Sequence, residues 1–148
     1  MRDSNVEWEI KNAESRIQFR TEVVAMRSAV IDKESFATVG WDDNYFKYCN
    51  FEGFSADIVL IASDFVNCSF KNVEWYGGLF NHTNFISCEF IDCQFMGASF
   101  PDSRFIECTL ENCRFLKDSL GRECDFNRAV AYDCRVKGCE GFMVGDNA

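Results

Sequence analysis

No segment of this chain holds the roughly 20 consecutive apolar residues that a membrane-crossing helix needs, so its apolar side chains must pack against one another. The N-terminus, Met1-Arg2-Asp3-Ser4-Asn5, has no apolar stretch of the kind that marks a secretory signal, and export is not expected. Histidine is nearly absent. The single His82 is accompanied by no Cys-x2-Cys pair, which leaves out the ordinary zinc sites. There is no Gly-x-x-x-x-Gly-Lys phosphate loop and no Gly-x-Gly-x-x-Gly fingerprint, and no Ser or Cys nucleophile stands at a useful spacing from His82. Cations are in deficit, 15 Lys and Arg against 24 Asp and Glu for a net charge of −9, whereas gripping nucleic acid through its phosphates needs a basic stripe. Catalysis, a cofactor, a metal, a membrane and direct nucleic-acid contact are therefore not expected.

What the chain does have is 16 Phe, 9 Cys and a strict period. Every fifth residue from Leu60 to Leu120 is a large apolar side chain: Leu60, Phe65, Phe70, Trp75, Phe80, Phe85, Phe90, Phe95, Phe100, Phe105, Leu110, Phe115 and Leu120. Two residues before each of these centres stands a mostly small residue, such as Ser63, Cys68, Thr83, Cys88, Cys93, Ala98, Ser103, Cys108 or Cys113. Neither the strand period of 2 nor the helix period of 3.6 returns a side chain to one face every five residues. A short extended stretch followed by a corner does. Repeated corners wind the chain into a coil whose turns stack through backbone hydrogen bonds about 4.8 Å apart, with the phenylalanines as an inner column.

In this respect the sequence resembles the pentapeptide-repeat family, in which a small residue, a polar residue, Leu or Phe and two variable polar residues recur. Cys88-Glu89-Phe90-Ile91-Asp92, Cys108-Thr109-Leu110-Glu111-Asn112 and Cys113-Arg114-Phe115-Leu116-Lys117 fit that pattern closely. The resemblance implies an all-β fold, the family's right-handed quadrilateral β-helix, with four repeats to a coil.

The period slips twice. After Leu120 the next centre is Phe126, followed by Ala131, Val136 and Gly141, which places one extra residue in a bulged corner near Gly121-Arg122-Glu123. Before Leu60 the centres are Phe36, Trp41, Phe46, Phe51 and Ala56, one residue out of phase, which places an irregular corner at 56–59. With these slips, Cys49, Cys68, Cys88 and Cys108 form one ladder and Cys93, Cys113 and Cys134 another, and all nine cysteines, Cys124 and Cys139 included, fall in the small inward slot. There a thiol serves as a small hydrophobe. Nine reduced thiols without an export signal suit the cytoplasm better than a disulfide framework, and His82 takes an ordinary outward slot.

The expected organisation is a cap over residues 1–30, a β-helix over 31–141 and a tail over 142–148. Ser4 and Glu7 have capping-box spacing and Val6, Ile10, Ala13 and Ile17 recur at helical intervals, whereas Ile17, Phe19, Thr21 and Val23 alternate as a strand would. Either element would cover the end of the Phe column. At the other end, Phe142, Met143 and Val144 either fold over the last coil or stack end to end on a second copy as a homodimer.

The outward slots carry the functional signal. Val66, Ile86 and Ile106 lie one coil apart on one face and Tyr76, Met96 and Leu116 on the opposite face, two apolar stripes expected to be exposed and to bind a protein partner. Glu89, Asp92 and Glu111 group on a further face, as an acid/base candidate of the kind some β-helical polysaccharide-cleaving enzymes carry or, preferably, as a solvated acidic surface. The leading expectation is a non-catalytic scaffold that engages, and masks or neutralises, a specific protein, in the manner of an immunity protein or antitoxin. The alternative comes from the family resemblance, whose gyrase-protecting members look like acidic rods of DNA and compete with duplex for a topoisomerase. This chain departs from those members in lacking an evident C-terminal dimerisation helix and in the cations Lys71, Arg104, Arg114, Lys117, Arg128, Arg135 and Lys137 that interrupt its acidic surface.

Overall fold

A computed structural model of the chain describes residues 26–57 and 60–144. On three of the four faces the centres lie in short strands, and each strand pairs in parallel with the equivalent strand one coil away. The first face stacks β1 (Met26–Arg27), β3 (Tyr45–Lys47), β6 (Asp64–Val66), β9 (Asn84–Ile86), β12 (Arg104–Ile106) and β15 (Val130–Tyr132). The second stacks β2 (Val30–Ile31), β4 (Asn50–Glu52), β7 (Ser69–Lys71), β10 (Glu89–Ile91), β13 (Thr109–Glu111) and β16 (Arg135–Lys137). The third stacks β5 (Ser55–Ala56), β8 (Glu74–Tyr76), β11 (Gln94–Met96) and β14 (Arg114–Leu116). The fourth is held by single bridges, Leu60 to Leu79, Leu79 to Ser99 and Ser99 to Asp125. The result is a four-faced parallel β-solenoid, and among the described residues the one helical element is a short 3-10 turn at Phe36–Thr38.

The interior is a set of ring stacks. On the second face Phe51, Phe70 and Phe90 lie nearly parallel, 4.6 and 4.8 Å between successive centroids, and on the third Phe95 and Phe115 are 4.7 Å apart. Rings on adjacent faces meet edge to face, as Phe85 does with Phe90 at 5.1 Å. Burying each such ring contributes about 1.5–3 kcal/mol, and the offset and T-shaped geometries add to it. Between the rings the thiols serve as spacers: Cys68, Cys88 and Cys108 donate to the carbonyls of Phe46, Phe65 and Phe85, at 3.4, 3.3 and 3.2 Å. All nine cysteines are unbridged. Burial pushes the Cys88 thiol well up and raises Cys124 and Cys139 too, so these stay protonated.

The corners are left-handed. Asn67, Asn72, Ser87, Asp92 and Asn112 all sit at φ between 52° and 55°, the region that Asn, Asp and Gly enter most readily. A residue there turns the chain through a corner in too few residues for a loop.

The two slips differ in detail from the sequence reading. The short corner lies between Ile61 and Phe65: Ile61 is fully buried and fills the fourth-face slot, while Leu60 points outward. The register shows it, since Phe46 pairs with Phe65, nineteen residues on, and Phe65 with Phe85, twenty residues on. At the other slip the insertion is six residues. Phe105 pairs with Ala131 and Leu110 with Val136, each twenty-six residues apart, and Phe126 stacks on Phe100 at 5.2 Å. Leu120 is 85% exposed and fills no slot. The same shift moves the last thiols: Cys134 continues the ladder of Cys108, donating to Phe105 O at 3.2 Å, and Cys139 stands over Cys113, accepting from its N–H at 3.4 Å.

Among the described residues strand pairing starts with Met26, inside the stretch assigned to the cap, and the helix and strand expected over residues 4–23 lie outside the described residues. At the C-terminal end Phe142 folds over the column, within 5.2 to 5.6 Å of the rings of Phe115, Phe105 and Phe126, while Met143 points to solvent.

Candidate functional site

In a wall one strand thick, the residues flanking each centre form outward columns, and strand register decides what stands in them. On the third face the pairs Tyr76 to Met96 and Met96 to Leu116 bring the expected stripe together. Tyr76 is 47% exposed, Leu116 half-buried and Met96 buried. The inserted corner covers Met96. That corner, residues 118–123, is self-supporting: Asp118 Oδ1 accepts from the N–H groups of Leu120 (3.0 Å) and Arg122 (2.8 Å), and Arg122 Nε donates to Asp118 Oδ2 at 3.0 Å. The hydrogen bond from the Arg122 amide is the main reason the Asp118 carboxyl is held below its ordinary value.

The corner seats on glycine. A Cβ at Gly97 would fall 2.6 Å from Asp118 Oδ2, and Gly97 has a φ of 64°, so both the space and the backbone exclude a side chain there. Gly77, one coil away, leaves open space beside Tyr76. Two adjoining hollows result, of about 310 and 320 Å3, which share Asp57, Tyr76, Gly77 and Arg122. Leu79 rims one and Leu120 the other, so a tyrosine, two leucines, two cations (Arg122 and Lys117) and two carboxylates (Asp57 and Asp118) surround a glycine floor. Leu79 takes the outward slot before Phe80, and Leu120, expected as an inward centre, is exposed because it stands on the inserted corner.

The other stripe is not exposed. Val66, Ile86 and Ile106 do stack in register, but they are 8%, 3% and 0% exposed and form a second apolar cluster with Tyr45, flanked by Tyr132. Column order was legible in the sequence; what lies over the column was not.

Glu89, Asp92 and Glu111 occupy the second face and its corner, where they are interleaved with cations. The column one residue after each centre reads Glu52, Lys71, Ile91, Glu111, Lys137. Lys71 Nζ lies 4.0 Å from Glu89 Oε1, so this face alternates in sign and does not form an acidic sheet. His82 stands at an exposed corner with its Nε2 3.7 Å from Asp102 Oδ2, and Arg128 bonds the same carboxylate at 2.9 Å. Among the described residues no group of His, Cys, Asp and Glu could hold a metal ion, and none of their helices is long and apolar enough to cross a membrane.

Residues 63–102 and 79–115 match the family described as Pentapeptide repeats, with eight copies of the repeat. This stretch, residues 63–115, is made of pentapeptide repeats. No curated protein matches its sequence. Among solved structures the chain is similar to two trypsin-treated forms of QnrB1, a plasmid-mediated fluoroquinolone resistance protein. One is 14% identical, over 78% of this chain and 68% of that one, with a TM-score of 0.20. The other is 13% identical, over 78% and 67%, with a TM-score of 0.18. The matched stretch begins just after the short corner that follows Ile61 and ends just before the six-residue insertion, so the two register breaks bound it.

Proposed function

We propose that this pentapeptide-repeat protein is a rigid, non-catalytic scaffold that binds one specific protein through the third-face ledge, and acts by masking that partner as an immunity protein or antitoxin does. The observation that carries this reading is the pairing of an exposed Tyr76 with a preformed corner whose apolar tip, Leu120, stands in water beside it. Tyrosine and arginine are the residues most enriched at the centres of protein interfaces, and Tyr76 and Arg122 line both hollows. A tip ordered by Asp118 and a wall ordered by stacked coils lose little freedom on docking. In this reading the protein does no chemistry, and its nine free thiols work only as packing, which suits a reducing cytoplasm.

A second reading, a DNA-mimicking modulator of gyrase or another topoisomerase, draws on the net charge of −9. Against it stands the alternation of Glu52, Lys71, Glu111 and Lys137, because a duplex presents continuous rows of one sign.

Co-purification from the native cell followed by mass spectrometry identifies the partner. Tyr76→Asp and Leu120→Asp are then expected to weaken its binding by about 2 kcal/mol each, the scale of an interface hot spot, with the fold unchanged. The paired change Glu89→Lys with Asp92→Lys is expected to matter less. The reverse ranking, with salt-sensitive binding and dose-dependent inhibition of gyrase supercoiling, establishes the second reading in place of the first.

A further inference from the structure

Apolar exposure on this molecule is concentrated at one corner. Leu60, Tyr76, Leu79 and Leu120 are four of the eight large apolar side chains exposed among the described residues, and they adjoin. Leu60 stands in register with Leu79 on the fourth face, Leu79 shares one hollow with Tyr76, and Tyr76 shares the next with Leu120. Charge around this patch is unevenly matched. Both cations are already paired at the inserted corner, Arg122 with Asp118 at 3.0 Å and Lys117 with Glu123 at 3.7 Å. Among the described residues three carboxylates at the margin are in no ion pair: Asp57, one coil from Tyr76; Glu74, whose Oε2 accepts from the Tyr76 hydroxyl at 3.1 Å; and Asp125, in register with Ser99. The backbone beneath is committed as well. Gly77 N–H donates to Met96 O at 2.7 Å, Gly97 N–H to Leu116 O at 2.9 Å and Ser99 N–H to Gly78 O at 2.9 Å, so the floor has no free sheet edge on which a strand could add, and recognition there is left to side chains.

Resting on the reading of the ledge as the binding surface, we propose that the partner segment seated there is a basic amphipathic helix. Its apolar stripe lies against Leu60, Tyr76, Leu79 and Leu120, and its lysines or arginines meet Asp57, Glu74 and Asp125. Charge selects the sign, because uncompensated carboxylates around an apolar patch favour a cationic partner and repel an acidic one. Backbone selects the form. With no edge to extend, the occupant has to arrive with its own hydrogen bonds closed, as a helix does and an extended segment does not. Gly77, which has open space where a side chain would stand, lets such a helix come close to the wall. Size agrees. From the coil of Asp57 to that of Asp125 is three strand spacings, about 14 Å, which about ten helical residues cover at a rise of about 1.5 Å each. Apolar residues at i, i+3, i+4 and i+7 then fall on the patch, with cations at either end.

The test titrates the full chain, by fluorescence anisotropy at physiological salt, with three labelled peptides of about 14 residues, the helical ones stapled because a free helix of that length is marginal. One has Leu and Lys in helical order, the second has Glu for Lys, and the third has Leu and Lys in strict alternation, amphipathic only as a strand. The helical Leu/Lys peptide is expected to bind about tenfold tighter than either of the others, the scale of a few exposed ion pairs. Leu79→Asp is expected to weaken it about thirtyfold, as loss of an anchor does. Asp57→Asn, Glu74→Gln and Asp125→Asn together are expected to weaken it about tenfold, and Glu52→Gln with Glu111→Gln on the second face to leave it unchanged. Failure of the helical Leu/Lys peptide to bind, tighter binding of either other peptide, or an equal loss from the second-face pair overturns the proposal; the ranking on the unaltered chain decides even where a variant fails to fold. The native partner separates this result from the ledge itself. If Tyr76→Asp weakens that partner and the three neutralising changes do not, the ledge stands and the basic helix falls; if neither does, both fall. A mass doubled in sedimentation and returned to that of one chain by Tyr76→Asp puts a second copy on the ledge and likewise overturns the proposal.

Discussion

Phe90 shows how much one side chain carries in a column. It is sandwiched face to face with Phe70 and meets Phe85 edge on, with its own strand hydrogen-bonded to both neighbours, so the gap left by Phe90→Ala cannot close. The expected cost is about 3–5 kcal/mol by denaturant titration, against little for the adjacent, partly exposed Glu89→Ala; the opposite order would mean that the inward face has been misassigned. The thiols make a second prediction. Because burial raises the Cys88, Cys124 and Cys139 values above that of an unfolded thiol, near 8.5, the folded protein holds protons that the unfolded chain gives up. Their stabilisation is complete below about pH 8.5 and falls as pH rises from there toward the folded values. Melting temperature measured from pH 7 to pH 10 should therefore decline at the alkaline end, and thiol counting should find slow labelling before unfolding and nine reactive thiols after it.

At the scale of the element, the corner decides. Ser87 sits at φ 54°, where a β-branched side chain is strongly disfavoured. Ser87→Val is expected to cost about 1–2 kcal/mol and Ser87→Gly almost nothing, read from paired melts. The inserted corner makes a different prediction. Cys124 donates to Leu116 O at 3.5 Å, the bond that Cys68 makes to Val66 and Cys88 to Ile86 two residues back, so the chain resumes after the insertion where an ordinary repeat would continue. Deleting Asp118–Glu123 joins Lys117 to Cys124 and restores the period. The deletion is expected to move Tm by no more than about 2–4 °C, the effect of about 1 kcal/mol in a chain of this size, while partner binding is lost. A large drop in Tm would make the corner structural.

These elements also show what could be read from the residues alone. Period, inward pairs and column order followed from side-chain type, because only a large apolar residue fills the centre slot. Leu60 was taken for a centre in place of Ile61 because two adjacent aliphatic residues carry no signal of which one faces in. Leu120 kept the beat of five by coincidence, and nothing in its type shows that it stands on a six-residue insertion outside the wall. The ledge around Tyr76 was half legible for that reason, since Leu120 owes its exposure to the corner.

Across the whole molecule, order was legible and cover was not. Val66, Ile86 and Ile106 form a stripe by register alone, but no periodicity announces that they are buried. The ends are a second whole-molecule property. A solenoid contacts only its neighbours along the axis, so its terminal coil depends on whatever closes the column, and Phe142 does this at the C-terminal end. Phe142→Asp is expected to raise hydrogen exchange in β15 and β16 well before β9 and β10, as fraying from one end. Uniform exchange along the axis would show that the coils open together.

The pinched base of the inserted corner has a wider consequence. Because the wall closes again directly between Leu116 and Cys124, the coils on either side never register how much chain stands outside. Length at that point is a free variable for the lineage and for the engineer. A longer segment grafted between Lys117 and Cys124 would project farther over Tyr76 without disturbing a single stacked ring, which makes the position a socket for displaying peptides on a stiff rod.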